Sequence, residues 1–141
     1  MSRTLRELLN TGAEDAPAIL TVDGKTLSHG ELRSQVDRLA GQLRAAGIGR
    51  GDRVGIVLPN GPEAAISFLA VASCATAAPL NPAYREDEFR FYLDDLGAKA
   101  LITLPGEAPA AHAAAPASAL RLAWTGEPGS YSLELDGKAI E

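Results

Sequence analysis

The most regular pattern in the chain lies between Leu32 and Leu43. Leu32, Val36, Leu39, Ala40 and Leu43 recur at i, i+4, i+7, i+8 and i+11, one apolar stripe along an α-helix. Ser28-His29-Gly30-Glu31 stands just before it and reads as a capping box. The Ser28 hydroxyl can accept from the third helical amide while Glu31 reaches back to the cap amide. Arg33 and Asp37 are spaced to pair on the outer face, worth about 0.3 kcal/mol. Gly47 is expected to end the helix in the left-handed conformation. Upstream, Thr4 to Asn10 reads as a short helix with Leu5, Leu8 and Leu9 on one side. Ala18 to Val22 reads as a strand that returns through Asp23-Gly24 into Lys25 to Leu27, a hairpin.

From Arg53 onward the pattern changes. Arg53 to Leu58 reads as a strand without alternation, which predicts burial on both faces, as in a parallel sheet. Pro59-Asn60-Gly61-Pro62-Glu63 breaks that strand and opens a helix, with Pro62 suited to the first helical position. The helix from Pro62 to Cys74 is apolar almost all round. Only Glu63, Ser67 and Ser73 are polar, so burial on more than one side is expected. Ala77 to Leu80 reads as a short strand and Asn81-Pro82 as a turn. Arg85 to Leu96 is an amphipathic helix with Phe89, Tyr92, Leu93 and Leu96 on one face, and Gly97 caps it. The pairs Glu86–Arg90 and Arg90–Asp94 are spaced to bridge. Lys99 to Leu104 is a second apolar strand. The Ala- and Pro-rich residues 105–119 are expected to form a weak helix or an irregular connection. Leu120 to Trp124 is a further strand, Gly126 to Gly129 a loop, and Ser132 to Leu135 a last short strand. Strand and helix alternate from Arg53 to Trp124, which predicts right-handed βαβ units. The fold class is therefore α/β, a mostly parallel sheet with flanking helices.

Composition narrows the function classes. The 141 residues suffice for a core, and 46% hydrophobic with 22% charged is ordinary for a globular protein. Net charge is −5, and Lys and Arg form no stripe, so nucleic acid is not an expected partner. No apolar run reaches the ~18–20 residues of a membrane span. No apolar segment follows the basic residues of Met1 to Glu7, so these do not read as a signal peptide. Cys74 is the one cysteine, so no internal disulfide forms. Together these features lead us to expect a cytoplasmic protein.

Gly51-Asp52-Arg53-Val54-Gly55-Ile56-Val57-Leu58-Pro59-Asn60-Gly61-Pro62-Glu63 resembles the first block of the AMP-forming adenylating enzymes. This superfamily comprises acyl- and aryl-CoA ligases, luciferases and adenylation domains. There a G-D-R-V strand leads into an L-x-N turn and an apolar helix. A strand ending A-P-L-N-P then follows, here Ala78-Pro79-Leu80-Asn81-Pro82, with an amphipathic helix and an A-L-I strand after it. The helix Leu32 to Ala46 before Gly47 resembles the family's approach to this block. Tyr84-Arg85-Glu86-Asp87-Glu88-Phe89 is most similar to the small-acid branch, which includes oxalate–CoA ligase-like proteins. The resemblance spans Arg3 to Thr103.

The resemblance implies residues 1–141 to be one partial domain, the N-terminal part of an acyl-CoA synthetase. The whole enzyme would take a small-molecule carboxylate, ATP, Mg and CoA. The family's Ser/Thr/Gly-rich phosphate loop ending in Pro-Lys has no match here. No motif matches its adenine and ribose sites or its lid lysine, and the chain is expected to stop about where the phosphate loop begins. No residue is therefore assigned a catalytic, cofactor-binding or metal role, and the chain alone is expected to be inactive. The alternative is a free-standing small α/β interaction or regulatory module derived from such an enzyme. Self-association of the chain is expected, because Val54 to Leu58, Pro62 to Cys74 and Ala100 to Leu104 each want cover on two sides.

Several residues invite a site reading and are better explained structurally. Gly47-Ile48-Gly49-Arg50-Gly51 has the order helix, glycines, strand, the reverse of a dinucleotide fingerprint, and reads as a helix end with a tight turn. Asn60-Gly61-Pro62 sits where anions bind helices, but Pro62 lacks an amide, so capping is expected. Cys74 reads as a buried inert thiol. His29 and His112 are too isolated for a metal site. Asp94-Asp95 reads as the solvated end of a helix.

Overall fold

Thr4 and Ser28 each start a helix with the same device. The computed structural model describes residues 4–141. In α1, Leu5–Leu9, the Glu7 amide donates to the Thr4 hydroxyl at 3.1 Å, and Glu7 accepts from the Thr4 amide at 3.3 Å. In α2, His29–Ala45, the corresponding distances for Glu31 and Ser28 are 3.1 and 2.8 Å. Leu32, Val36, Leu39, Ala40 and Leu43 are all buried, as the stripe predicts. Gly47 follows with φ +86°, and the Ile48 amide donates to Leu43 O at 2.9 Å, closing the helix end. Between the first two helices, β1 (Pro17–Leu20) and β2 (Thr26–Ser28) pair antiparallel as a small separate sheet. Their turn is wider than Asp23-Gly24 alone. Thr21 accepts the Lys25 amide and leaves Val22 in solvent.

The main sheet has six strands in the order β4-β3-β5-β6-β7-β8. They are β3 (Arg53–Ile56), β4 (Thr76–Pro79), β5 (Ala100–Thr103), β6 (Leu120–Thr125), β7 (Ser132–Leu135) and β8 (Lys138–Ala139). β3, β4, β5 and β6 are mutually parallel, and β7 and β8 add antiparallel. The chain steps from β3 through α3 (Pro62–Ala72) to β4, then crosses back through α4 (Glu86–Leu96) to β5. With right-handed crossovers, that reversal sends α3 and α4 to opposite faces. Two cores result. Val54, Ile56, Ala100, Ile102 and Leu122 pack with residues of α2 and α3. Leu101 and Val57 pack with Phe89 and Leu93 of α4 and with Ala111 and Ala114 of α5 (Pro109–Ala114). Every residue of β5 is buried, as a doubly covered strand requires.

Several expectations are corrected. Arg33 does not pair with Asp37. Its guanidinium donates to Leu9 O and Gly12 O at 3.2 and 3.0 Å, carbonyls freed where α1 ends, and Asp37 pairs with Arg6 at 2.6 Å. Arg90 bridges back to Glu86 at 2.6 Å and makes no ion pair with Asp94, in line with the preference for the acid on the N-terminal side. Helix α3 is buried on one side only: Ile66, Ser67, Ala70 and Val71 face inward, while Ala65 and Phe68 are exposed. The sheet lies beneath it and α2 beside it, and among the described residues no third layer lies over it. Tyr92 leaves the buried face of α4, which Phe89 and Leu93 occupy. Residues 105–119 include the short helix α5, and β8 is a strand the sequence pattern did not predict.

Candidate functional site

In open parallel sheets, ligands bind outside the carboxyl ends of the strands where strand order reverses. Here the reversal falls at β3. That end carries Pro59, Asn60 and Gly61 after β3, Asn81 after β4, and Leu104 and Pro105 after β5. A cavity of about 310 Å³ opens there, lined by Glu63, Leu104, Pro105, Trp124, Thr125, Gly126 and Tyr131. A neighbouring hollow of about 360 Å³ shares Glu63 and Tyr131 and extends to Asp23, Lys25 and Asn60.

Glu63 stands in the first turn of α3, and Tyr131 enters from the segment before β7. The Tyr131 hydroxyl donates to Glu63 Oε1 at 2.9 Å. Its ring meets Trp124 edge to face, centroids 4.6 Å apart. Burial, and then the Glu63 carboxylate, push the Tyr131 phenol well above its ordinary value. It is therefore a neutral donor that holds the carboxylate in place. An aromatic wall with a positioned carboxylate can bind a hydroxyl or a cation; it holds no nucleophile.

The residues flagged in the sequence lie elsewhere. The Gly47–Gly51 turn sits at the amino end of β3. Its Gly49 amide donates to Asp52 Oδ2 at 2.7 Å, and Lys99 Nζ bridges Asp52 Oδ2 at 3.0 Å and Gly47 O at 2.7 Å. The Gly49 amide first, then Lys99, hold the Asp52 carboxyl below its ordinary value. The turn is closed on itself. Asn60 does not cap α3; Gly61 holds the cap position, and no side chain bonds there. Cys74 is half-buried, its thiol donates weakly to Ala70 O at 3.5 Å, and burial raises its pKa. His29 opens α2. His112 lies in α5, where Nε2 and Thr103 Oγ1 are 3.1 Å apart. Burial and then Arg121 lower the His112 pKa. Asp94 and Asp95 are exposed. Among the described residues no group of three His, Cys, Asp or Glu side chains is placed to hold a metal ion. No helix of the described residues is long and apolar enough to cross a membrane.

Two buried glutamines escaped the sequence reading. Gln35 Nε2 donates to Tyr131 O at 2.7 Å while its Oε1 accepts the Tyr131 amide at 3.0 Å. Gln42 Nε2 donates to Ser132 Oγ at 2.7 Å and Ile140 O at 2.9 Å, and its Oε1 accepts the Leu133 amide at 3.0 Å. Each lies three residues after a stripe leucine, Leu32 or Leu39, so their buried position was readable from spacing. They clamp the backbone of β7 and of the segment before it, which also positions Tyr131 at the crevice.

Residues 8–138 match the model of the AMP-binding enzyme family. The chain belongs to that family. Among its AMP-binding relatives, a probable CoA ligase of Humulus lupulus is 47% identical over 116 residues, covering 79% of this chain and 22% of the ligase. The oxalate–CoA ligase of Arabidopsis thaliana is 46% identical over 119 residues, covering 80% of this chain and 23% of that enzyme. The solved structure of ATP-bound MatB from Rhodopseudomonas palustris superposes with TM-score 0.77 at 28% identity, covering 87% of this chain and 25% of MatB. The chain thus spans under a quarter of the length of these curated CoA ligases, and its doubly wound sheet is part of the family's adenylating fold.

Proposed function

We propose that this chain is the opening segment of the large N-terminal domain of an AMP-forming acid–CoA ligase of the small-acid branch. In the whole enzyme, a carboxylate oxygen attacks the α-phosphorus of ATP and pyrophosphate leaves. The thiol of CoA then displaces AMP from the acyl-adenylate to give the thioester. The observation that carries this reading is the match of residues 8–138 to the AMP-binding family, together with the 116-residue alignment that covers 22% of a probable CoA ligase. The 46% identity to an oxalate–CoA ligase supports the small-acid branch.

The chain's own crevice does not fit a triphosphate. Pro59, Pro62 and Pro105 bring no N–H donors, Glu63 brings negative charge to the start of α3, and among the described residues Lys25 is the one cation lining either hollow. No phosphate-loop sequence is present, so no step is assigned to a residue of this chain. ATP, Mg and CoA belong to other segments of the enzyme.

A chimera tests the reading. Residues 8–138 placed in the Arabidopsis oxalate–CoA ligase in exchange for its matching segment should retain oxalate-dependent pyrophosphate exchange. The chain alone, with ATP, Mg and a panel of short acids, should read background. Acid-dependent exchange by the chain alone, or a soluble chimera without activity, would overturn the proposal. A second reading, a free-standing module, is favoured by β5, whose four residues are buried by this chain's own helices. The exposed Ala65 and Phe68 of α3 favour instead a surface covered by another chain or by self-association.

A further inference from the structure

Helix α4 covers the sheet with Phe89 and Leu93, but its aromatic side chains continue around to solvent. Phe91 is 67% exposed and Tyr92 38%. Their rings meet edge to face, centroids 5.3 Å apart. Tyr92 stacks on Tyr84 at 5.2 Å with 16° between planes, and Tyr84 stands edge-on to the buried Phe89 at 5.7 Å. A run of ring contacts thus anchors the exposed rings to the core. Little side-chain freedom is left for them to lose on binding.

The charge around these rings has one sign. Asp87 precedes Phe91 by four residues, and Asp94 and Asp95 follow it by three and four. Glu88 precedes Tyr92 by four. These helical spacings set a carboxylate beside each ring. The local cations are already engaged, Arg90 with Glu86 at 2.6 Å and Arg85 with Asp87 and Glu88 at 3.9 and 3.8 Å. Among the described residues, no ion pair engages Asp94 or Asp95. Residues 84–97 hold five carboxylates and two guanidiniums, a net −3 of the chain's −5. The outer side of α3, with Ala65 and Phe68, has no such rim, and nothing there selects an occupant.

We propose that Tyr84, Phe91 and Tyr92, rimmed by Asp94 and Asp95, form a docking surface for an arginine-bearing segment of a partner protein. A guanidinium stacks on an aromatic face while its N–H groups donate to a flanking carboxylate, so one side chain satisfies both features of the patch. An aliphatic or anionic surface would desolvate the carboxylates without pairing them. An ammonium group meets the charge but lacks the planar fork that stacks and donates together.

The test is an NMR titration of the isotope-labelled chain with an alanine-based helical peptide of about 16 residues carrying arginines one turn apart. Saturable shifts confined to residues 84–97 are expected. Phe91→Ala should weaken binding about fivefold and Asp94→Asn with Asp95→Asn about threefold, whereas Phe68→Ala should leave it unchanged. The lysine version of the peptide should bind about threefold more weakly. Phe91 lies outside the core, so its variant should keep the spectral dispersion of the parent chain. Shifts scattered over all acidic residues would overturn the proposal, as would arginine and lysine peptides that bind alike and ignore Phe91→Ala. Concentration-dependent shifts at 84–97 without peptide would overturn it too, by making a second copy the occupant.

Discussion

The indole N–H of Trp124 on β6 donates to the Ser67 hydroxyl on α3 at 2.8 Å, with both side chains closed to solvent. This bond fixes α3 over the centre of the sheet. Ser67→Ala leaves a buried indole N–H without a partner and should cost about 1–3 kcal/mol. Trp124 is the sole tryptophan, so its fluorescence in a urea titration reports the loss directly. An unchanged midpoint would show that the indole finds another acceptor.

Gln35 answers both backbone groups of buried Tyr131. Gln35→Leu keeps the volume but strands an N–H and a C=O, at a cost of about 1–3 kcal/mol for each group left unpaired. Amide exchange at Tyr131 should accelerate in this variant more than exchange in β5. Equal acceleration at Tyr131 and in β5 would rule the clamp out as what holds this segment.

Ser28→Ala removes one half of the α2 capping box and should lower stability by about 1 kcal/mol. Ser28→Asp should restore most of it, because a carboxylate accepts from the same amide. Chemical denaturation of the three proteins separates capping from packing. A midpoint unmoved by Ser28→Ala would leave the cap without energetic weight.

His112 has its pKa lowered in the folded state by burial and by Arg121, from an ordinary value of 6.5. The unfolded chain therefore binds the proton at a pH where the folded chain does not. Stability is full above about pH 6.5 and falls as acidification passes that value toward the folded pKa. His112→Gln should flatten the dependence of the urea midpoint between about pH 7.5 and 5 while keeping a donor for Thr103. An identical slope in both proteins would assign the acid sensitivity to other groups.

Much of this fold was legible because its local signals agree with its packing. The stripe of α2, the capping box at Ser28, the unalternating strand at Val54 to Ile56 and the glycine at position 97 each specify one outcome, and each is met. What the sequence hid was the pairing of distant polar groups. Arg33 and Asp37 look made for each other at i, i+4. The decisive partners, Leu9 O and Arg6, come from an element whose position no local pattern gives. Ser67 is one of three polar residues in an apolar helix, and its inward role rests on Trp124, 57 positions away, whose indole N–H it accepts. The crevice at Glu63 was unreadable for the same reason. Tyr131 reaches it where Gln35 pins its backbone ahead of β7, while Gln42 holds β7 itself and Ile140.

The distance along the chain between Gln35 and Tyr131 is 96 residues. At ~5–20 residues per second of synthesis, the helix carrying Gln35 exists for about 5–20 s before its counterpart is made. During that interval its amide groups have only water to bond. Helix α2 is thus made well before the segment it clamps, and the ribosome's pace sets how long Gln35 must wait for Tyr131.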